Sequence, residues 1–383
     1  MVSKQINPKL IQALTNEPLA NIPKSPTFKH LGGTYVKSVV DQIKKIGTPQ
    51  PRNDMMMKCK QCGQSGKYDV GLLCISVSSD KEQKPQQQLT GYFRCKHCNS
   101  DGRWEESPEL LMLSISALMA PEADLPVHYG EIQLFDGYVP LYATDGEEHL
   151  LNLIAASPTN SLLWNKLGNL YFTGSRPELA MAAFEKSIEL DPHQVESHLS
   201  IANILMQLKN YKQAIHHLHQ MMIAAENYPH LEAKNFRELL SHGICTSFIA
   251  TTESKNKYDA LPSQQQLIDA GSTVNLQSDK LPRLLSLSSE DITTFYPLAE
   301  AFMGKRALEL NGPTKKVKPQ QKNASKSAQV VAFIEKQSFF TKADIQNACP
   351  DISTSTINRV VTDLRKKDVI QIMFVLRRSS DMI

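Results

Sequence analysis

The sequence predicts a mainly α, multidomain chain with one small β-rich unit near its N-terminus. Three observations lead there: two Cys-x-x-Cys pairs, Cys59–Cys62 and Cys95–Cys98, a 34-residue period in the middle of the chain, and a stretch rich in lysine and proline near its end. With 383 residues the chain has room for roughly two to four domains. The pattern divides it into an N-terminal segment 1–54, a β-rich unit 55–106, a helical domain 107–312, a linker 313–326 and a last compact domain 327–383.

Composition narrows the class. A hydrophobic fraction of 41% with 21% charged residues suits a soluble globular protein. No apolar run approaches the ~20 residues that cross a bilayer, and the N-terminus MVSKQINPKLIQAL lacks the apolar core of a secretory signal. The expected location is cytoplasmic, with no membrane partner. The seven cysteines agree, because four fall in pairs and Cys74, Cys245 and Cys349 read as small buried apolar residues rather than a disulfide framework. The net charge of +3 conceals a gradient: +7 over residues 1–106, −11 over 107–310 and +7 over 311–383. Basic ends point to a polyanion, and ordinary solvated surface charge accounts for them equally well.

Along the first segment, prolines at 8, 18, 23, 26, 49 and 51 interrupt any long element. Val36, Val39, Val40 and Ile43 recur at helical spacing and predict a helix over 33–45. In the β-rich unit, GLLCISVS (71–78) reads as a strand and 88–94 leads into the second cysteine pair. The intervening SDKEQKPQQQ (79–88) offers no core position and reads as a long hairpin loop.

Cys59, Cys62, Cys95 and Cys98 carry the clearest chemistry. A Cys-x-x-Cys turn places two sulfurs on one side, and two such turns brought together by a hairpin supply four sulfurs in a tetrahedron. Gly63 and Asn99 follow the pairs and both tolerate the left-handed backbone of a tight knuckle. Over these 50 or so residues the chain resembles the zinc-ribbon family, which implies one structural zinc ion with no open coordination position; the alternatives are an iron site and four unrelated thiols or a pair of redox motifs. Lys58, Lys60, Lys67, Arg94, Lys96, Arg103 and Trp104 surround the cysteines and suit either a nucleic-acid backbone or a docked protein.

Residues 161–194 and 195–228 align as two copies of the period. The first holds Trp164, Leu167, Gly168, Tyr171, Ala180, Phe184 and Pro192; the second keeps Ile201, Ala202, Leu205, Ala214 and Leu218 but lacks the Trp and the Pro. The first copy's offsets resemble the tetratricopeptide family. That resemblance implies stacked helix pairs and a groove for a protein or peptide partner. Helices near 147–156 and 232–250 extend the stack, and a further helix is expected from Ser289 to Asn311. His216, His217 and His219 sit together in the second copy; His216 and His219, at i and i+3, could share a face and a metal, and solvated helix positions are the favoured reading.

The stretch PTKKVKPQQKNASK (313–326) has five lysines and no acid, so it reads as a basic linker. Beyond it, FTKADIQNACPDISTSTINRVVTDLRKKDVI and the basic strand 370–378 resemble the winged helix-turn-helix family. The family's docking mode implies double-stranded DNA as partner. By that analogy Ser353, Ser355 and Thr356 open the recognition helix, Asn358 and Arg359 read bases, and Arg365, Lys366, Arg377 and Arg378 hold phosphates. Winged helices also dock proteins. The sequence shows no Walker loop, GxSxG elbow, HExxH or dinucleotide fingerprint, and no catalytic residue is expected. Two functions stand: a DNA-binding regulatory protein with a zinc site and a partner-binding scaffold, or a non-enzymatic adaptor in which ribbon and winged helix both dock proteins.

Overall fold

The computed structural model describes residues 5–50, 52–76, 86–102, 104–105, 107–119, 127–276 and 287–311, with residues 346, 348, 350, 352, 353, 356 and 360 of the C-terminal part. The chain divides into two compact units, 1–312 and 313–383, and the described residues are mostly helical with two small sheets.

The N-terminal segment is an arm laid on the helices. Asn7 caps α1 (Pro8–Thr15) by accepting the Lys9 N–H, and Pro8 fits the first turn, where no amide donor is needed. Ile6, Leu10 and Ile11 bury into the same core as the repeats. The helix expected over 33–45 is shorter, α2 (Val36–Asp41) followed by a 3-10 turn Ile43–Lys45. Its start is set from outside: the Glu185 carboxylate accepts the N–H groups of Thr34 and Tyr35 at 2.7 and 2.9 Å.

The β-rich unit holds β1 (Asp54–Cys59), β2 (Ser65–Asp69), β3 (Leu73–Ser76), β4 (Gln86–Leu89) and β5 (Trp104–Glu105); β6 (Val127–Tyr129) joins from beyond it. One sheet runs β2-β1-β5, all antiparallel. The other runs β4-β3-β6, with β6 parallel to β3. Tyr68, Phe93 and Trp104 pack with tilted rings in the core beside Met57, Leu73 and Leu89. The polar stretch 79–88 corrects one expectation. Its last glutamines form β4, and Gln88 is buried because its amide is fully matched, donating to Ile132 O and Pro140 O and accepting from Ile132 N–H. Helix α3 (Pro108–Met119) follows, its first turn capped by the Ser107 hydroxyl.

The remaining helices are α4 (Ala143–Ala156), α5 (Ser161–Thr173), α6 (Pro177–Leu190), α7 (Val195–Gln207), α8 (Tyr211–Ala224), α9 (Ala233–Glu253), α10 (Gln264–Asp269) and α11 (Tyr296–Met303). From α4 to α9 each packs on the next. Trp164, Tyr171 and Phe184 are fully buried at the α5/α6 crossing. The helix expected from Ser289 is broken instead. Asp291 caps a 3-10 turn leading into α11, and Gly304, with φ of 55°, turns the chain into a second 3-10 stretch.

In the C-terminal unit, Gln346, Ala348, Thr356 and Val360 are helical, and Ile352 and Val360 are buried. Thr356 N–H donates to Ser353 O at 2.9 Å and approaches Ser353 Oγ at 3.4 Å, so Ser353 stands at the head of a helical turn. Of the nine residues proposed for DNA, Ser355, Asn358, Arg359, Arg365, Lys366, Arg377 and Arg378 lie outside the described residues, as do the linker 313–326, the strand 370–378, Arg103 and Cys349.

Gly168 shows how tight the repeat is. A Cβ there would lie 2.4 Å from the Phe184 ring. Gly168→Ala should therefore destabilise the chain by about 1–3 kcal/mol, read as a lowered urea midpoint at constant slope; an unchanged midpoint would mean that the pair has room to separate.

Candidate metal centre and its seat on the repeat scaffold

The two cysteine turns are built alike. In the first, Gly63 N–H donates to Cys59 O and Cys59 N–H donates to Gln64 O; in the second, Asn99 N–H donates to Cys95 O and Cys95 N–H to Ser100 O, each at 2.8–2.9 Å. Gly63 and Asn99 take φ of 73° and 59°. The left-handed residue closes the turn and aims both sulfurs of a pair at the other pair.

The four sulfurs lie within 4.8 Å of one another. Cys59 Sγ is 3.8 Å from Cys98 Sγ, and Cys62 Sγ is 3.6 Å from Cys95 Sγ. A tetrahedron with Zn–S of ~2.3 Å has S···S edges of about 3.8 Å, close to the two shortest separations, so the donor set suits one tetrahedral ion. The thiols are unequal. Burial raises Cys95, but N–H groups of Cys98 and His97 and the neighbouring sulfurs outweigh it and hold the thiol down to about 6. Burial, joined by the three sulfurs beside it, pushes Cys98 up to about 12.

The basic and aromatic residues around the cysteines split into two groups. Lys60, Lys67 and Lys96 are exposed, and Lys58 pairs with Glu105. Arg94 and Trp104 are buried, so neither is available to a phosphate or a base, which corrects their reading as surface contacts. Trp104 packs in the sheet core. Arg94 reaches a carboxylate that sequence reasoning passed over.

That carboxylate is Glu147 on α4, 0% exposed. It accepts from Arg94 Nη1 at 3.1 Å, Tyr92 O–H at 2.9 Å, Tyr171 O–H at 2.7 Å and Asn7 Nδ2 at 3.0 Å. Burial raises its carboxyl, and Arg94 and the three other donors oppose that rise. Arg94 Nε also donates to Asn99 O, while the Asn99 amide donates to Ile6 O and Lys24 O. Arg94 precedes Cys95 and Asn99 follows Cys98. The second cysteine turn is thereby fastened to the arm, to α4 and to α5.

A second buried cluster was also missed. His216 is exposed, as expected, and His219 is half-buried with Nε2 3.0 Å from Asp259 O. The buried histidines are His198 and His217, with Nδ1 atoms 3.0 Å apart. Pro192 O, 2.9 Å from His198 Nε2, can only accept, so that nitrogen carries the proton. His198 Nδ1 then accepts from His217 Nδ1–H, and His217 Nε2 faces the Tyr35 hydroxyl at 3.2 Å. Both rings are neutral. Burial holds His198 down to about 4 and His217 to about 3, helped for His198 by His216 and His193 and for His217 by His198 and His216.

The stacked pairs from α5 to α8 are like those of tetratricopeptide repeats, and residues 162–194 match the tetratricopeptide repeat family. Over 92 residues the chain is 30% identical to the peroxisomal targeting signal receptor of Candida glabrata, which covers 23% of this chain and only 15% of that relative. No solved structure matches the chain. No helix among the described residues is long and apolar enough to cross a membrane.

Two outcomes follow from these clusters. Glu147→Gln leaves Arg94 buried without its main counter-charge and should cost about 3–5 kcal/mol, whereas Tyr171→Phe, which removes one hydrogen bond to a charged group, should cost about 1.5–3 kcal/mol; denaturant melts rank the two. The histidine pair makes stability fall with acid. Below pH 6.5 the unfolded chain takes up protons that the folded pair refuses, and the loss is complete only near pH 3. Replacing His217 with Gln should flatten the fall in melting temperature between pH 6.5 and 4; an unchanged slope would show that the pair is open to solvent.

Proposed function

We propose that the protein is a non-catalytic adaptor whose tetratricopeptide array binds a segment of a partner protein and whose four-cysteine turn pair holds one structural zinc ion. The array carries this reading. One face of it is already taken: α2 packs on α6, and Tyr35, Gly47 and Thr34 reach Gln213 on α8, Gln207 at the end of α7, and Glu185 on α6. The side of the first helices, α5 and α7, is left for a partner. There Asn169 is exposed and Lys166 pairs across the repeats with Glu196 at 3.2 Å. An amide and an ion pair on neighbouring helices suit the backbone and charged side chains of an extended peptide.

Four sulfur ligands close the coordination shell, so the ion organises the fold and leaves no position for substrate. Metal analysis of the purified chain should give one zinc per chain without visible absorption, and Cys62→Ser should abolish retention through a chelating column. A coloured protein with iron at that stoichiometry would replace zinc by an iron site.

The adaptor reading is tested by peptide-display selection on the full zinc-loaded chain. Enriched peptides should lose roughly tenfold in affinity on Asn169→Ala or Lys166→Glu at unchanged thermal stability. Selected peptides indifferent to both changes, or none at all, would defeat the array as the partner site. DNA binding by the C-terminal unit is kept as a second reading, on the charge of +7 over residues 311–383 and the capped turn at Ser353–Thr356. Anisotropy on random duplex across a salt series decides it: steep salt-dependent binding lost on deleting 313–383 supports DNA, and no binding at low salt removes it.

A further inference from the structure

The two cysteine turns share a backbone shape but not their neighbours. The first belongs to a sheet. Cys59 ends β1, which pairs with β2 and β5. Lys60, Gln61, Gly63 and Gln64 are exposed, and a Cβ placed on Gly63 would meet nothing within 4 Å. Among the described residues no hydrogen bond from the arm or the repeats reaches this turn.

The second turn belongs to the repeat scaffold. Asn99, at the position that Gly63 fills in the first turn, is 5% exposed, and its amide donates to Ile6 O and Lys24 O at 2.8 and 2.9 Å. The Gln5 amide donates to Arg94 O. Tyr92 N–H donates to Gly174 O at 3.0 Å, and Thr144 O–H donates to Asp101 O at 2.6 Å. With Glu147 on the Arg94 guanidinium, the arm, α4 and the turn after α5 grip the chain on both sides of Cys95 and Cys98.

This grip exceeds what a sulfur-bearing turn requires. Glycine enters the left-handed region freely and asparagine does so at some cost, yet position 99 carries the asparagine whose amide reaches the arm. A cation beside the cysteines would stay hydrated at the surface, yet Arg94 gives up its water to meet a buried carboxylate. Two of the four sulfurs are thus placed by a sheet and two by the scaffold.

We infer that the four-cysteine site is a clasp joining the β2-β1-β5 sheet to the repeat scaffold, with Arg94, Asn99 and Glu147 as positioning residues for its second pair of sulfurs. The inference rests on the reading that these sulfurs hold one zinc ion. Glu147 acts through Arg94, whose Nε in turn holds Asn99 O. Retention of the metal then depends on a carboxylate of α4. Such linkage is reciprocal, so loading the site with metal tightens the arm that covers the second-helix side of the array, and chelation loosens it.

The test is the zinc affinity of the full chain, read by competition with a chromophoric chelator. Glu147→Gln and Asn99→Gly should each weaken zinc roughly 10–100-fold. Asn99→Gly keeps the left-handed turn, as Gly63 does, and so reports the arm's grip even where Glu147→Gln fails to fold. Gly243→Ala, which crowds Met221 between α8 and α9, loosens the array far from this network and should leave zinc affinity within about twofold. Hydrogen exchange in α1 and α4 should quicken on chelation, while α9 keeps its rate. Zinc affinity unchanged in both network variants, an equal loss in Gly243→Ala, or α1 and α4 exchanging alike with and without zinc would each overturn the inference. A wild-type chain that takes up no zinc is a different result: it removes the zinc reading, and the clasp with it.

Discussion

The Glu147 carboxylate organises the first unit. A fully buried carboxylate is tolerated only when charge and hydrogen bonds replace the water it has lost. Here four donors come from three separate places: Asn7 at the head of α1, Tyr92 and Arg94 beside the second cysteine turn, and Tyr171 on α5. None of them is sufficient alone. Satisfying this one side chain therefore requires the arm, the β-rich unit and the first repeat to be docked at once. The apolar core agrees, because Tyr92 and the arm's Ile6, Leu10 and Ile11 share a cluster with Trp164, Leu167 and Phe184.

Much of this molecule was legible where chemistry is local. The cysteine spacing, with Gly63 and Asn99 in left-handed positions, follows from what a tight sulfur-bearing turn demands of its own residues. The repeat was legible because Trp164, Gly168, Tyr171 and Phe184 meet each other within one helix pair. What escaped the sequence is long-range. Asn7 and Glu147 lie 140 positions apart, and nothing in either neighbourhood marks them as partners. Arg94 looked like a surface cation because its neighbours Lys96 and Lys67 are surface cations. Gln88 looked like loop because three glutamines in a row carry no alternation, yet its amide is matched by carbonyls and an N–H brought from 132 and 140.

The histidines follow the same rule. Three in a cluster on α8 suggested a solvated group, and the helix period alone separates His217 from His216 and His219. What buries His217 is Tyr35 on the arm and His198 on α7, again distant in sequence. The arm is thus more than a leader to the β-rich unit. It seals the second-helix side of the array through Glu185 and Gln213, reaches Gln207 at the end of α7, and supplies Asn7 to the buried carboxylate. An array sealed on one side and anchored at its first helix is held in a fixed shape, which would lower the entropy spent by the partner binding proposed for its remaining side.

The position of Arg94 has a mechanical consequence. Its backbone leads straight into Cys95, and its Nε holds the carbonyl of Asn99, the residue that closes the same turn. The shape of that turn therefore sets where the guanidinium can reach. With the sulfurs gathered, Arg94 meets Glu147 at 3.1 Å; were the turn to open, Glu147 would keep its burial and lose its counter-charge, the more costly of the two states. An ion that holds the four sulfurs together also holds the cation that the buried carboxylate requires. A metal ion at the four cysteines would then be coupled to the docking of the repeat scaffold through Arg94.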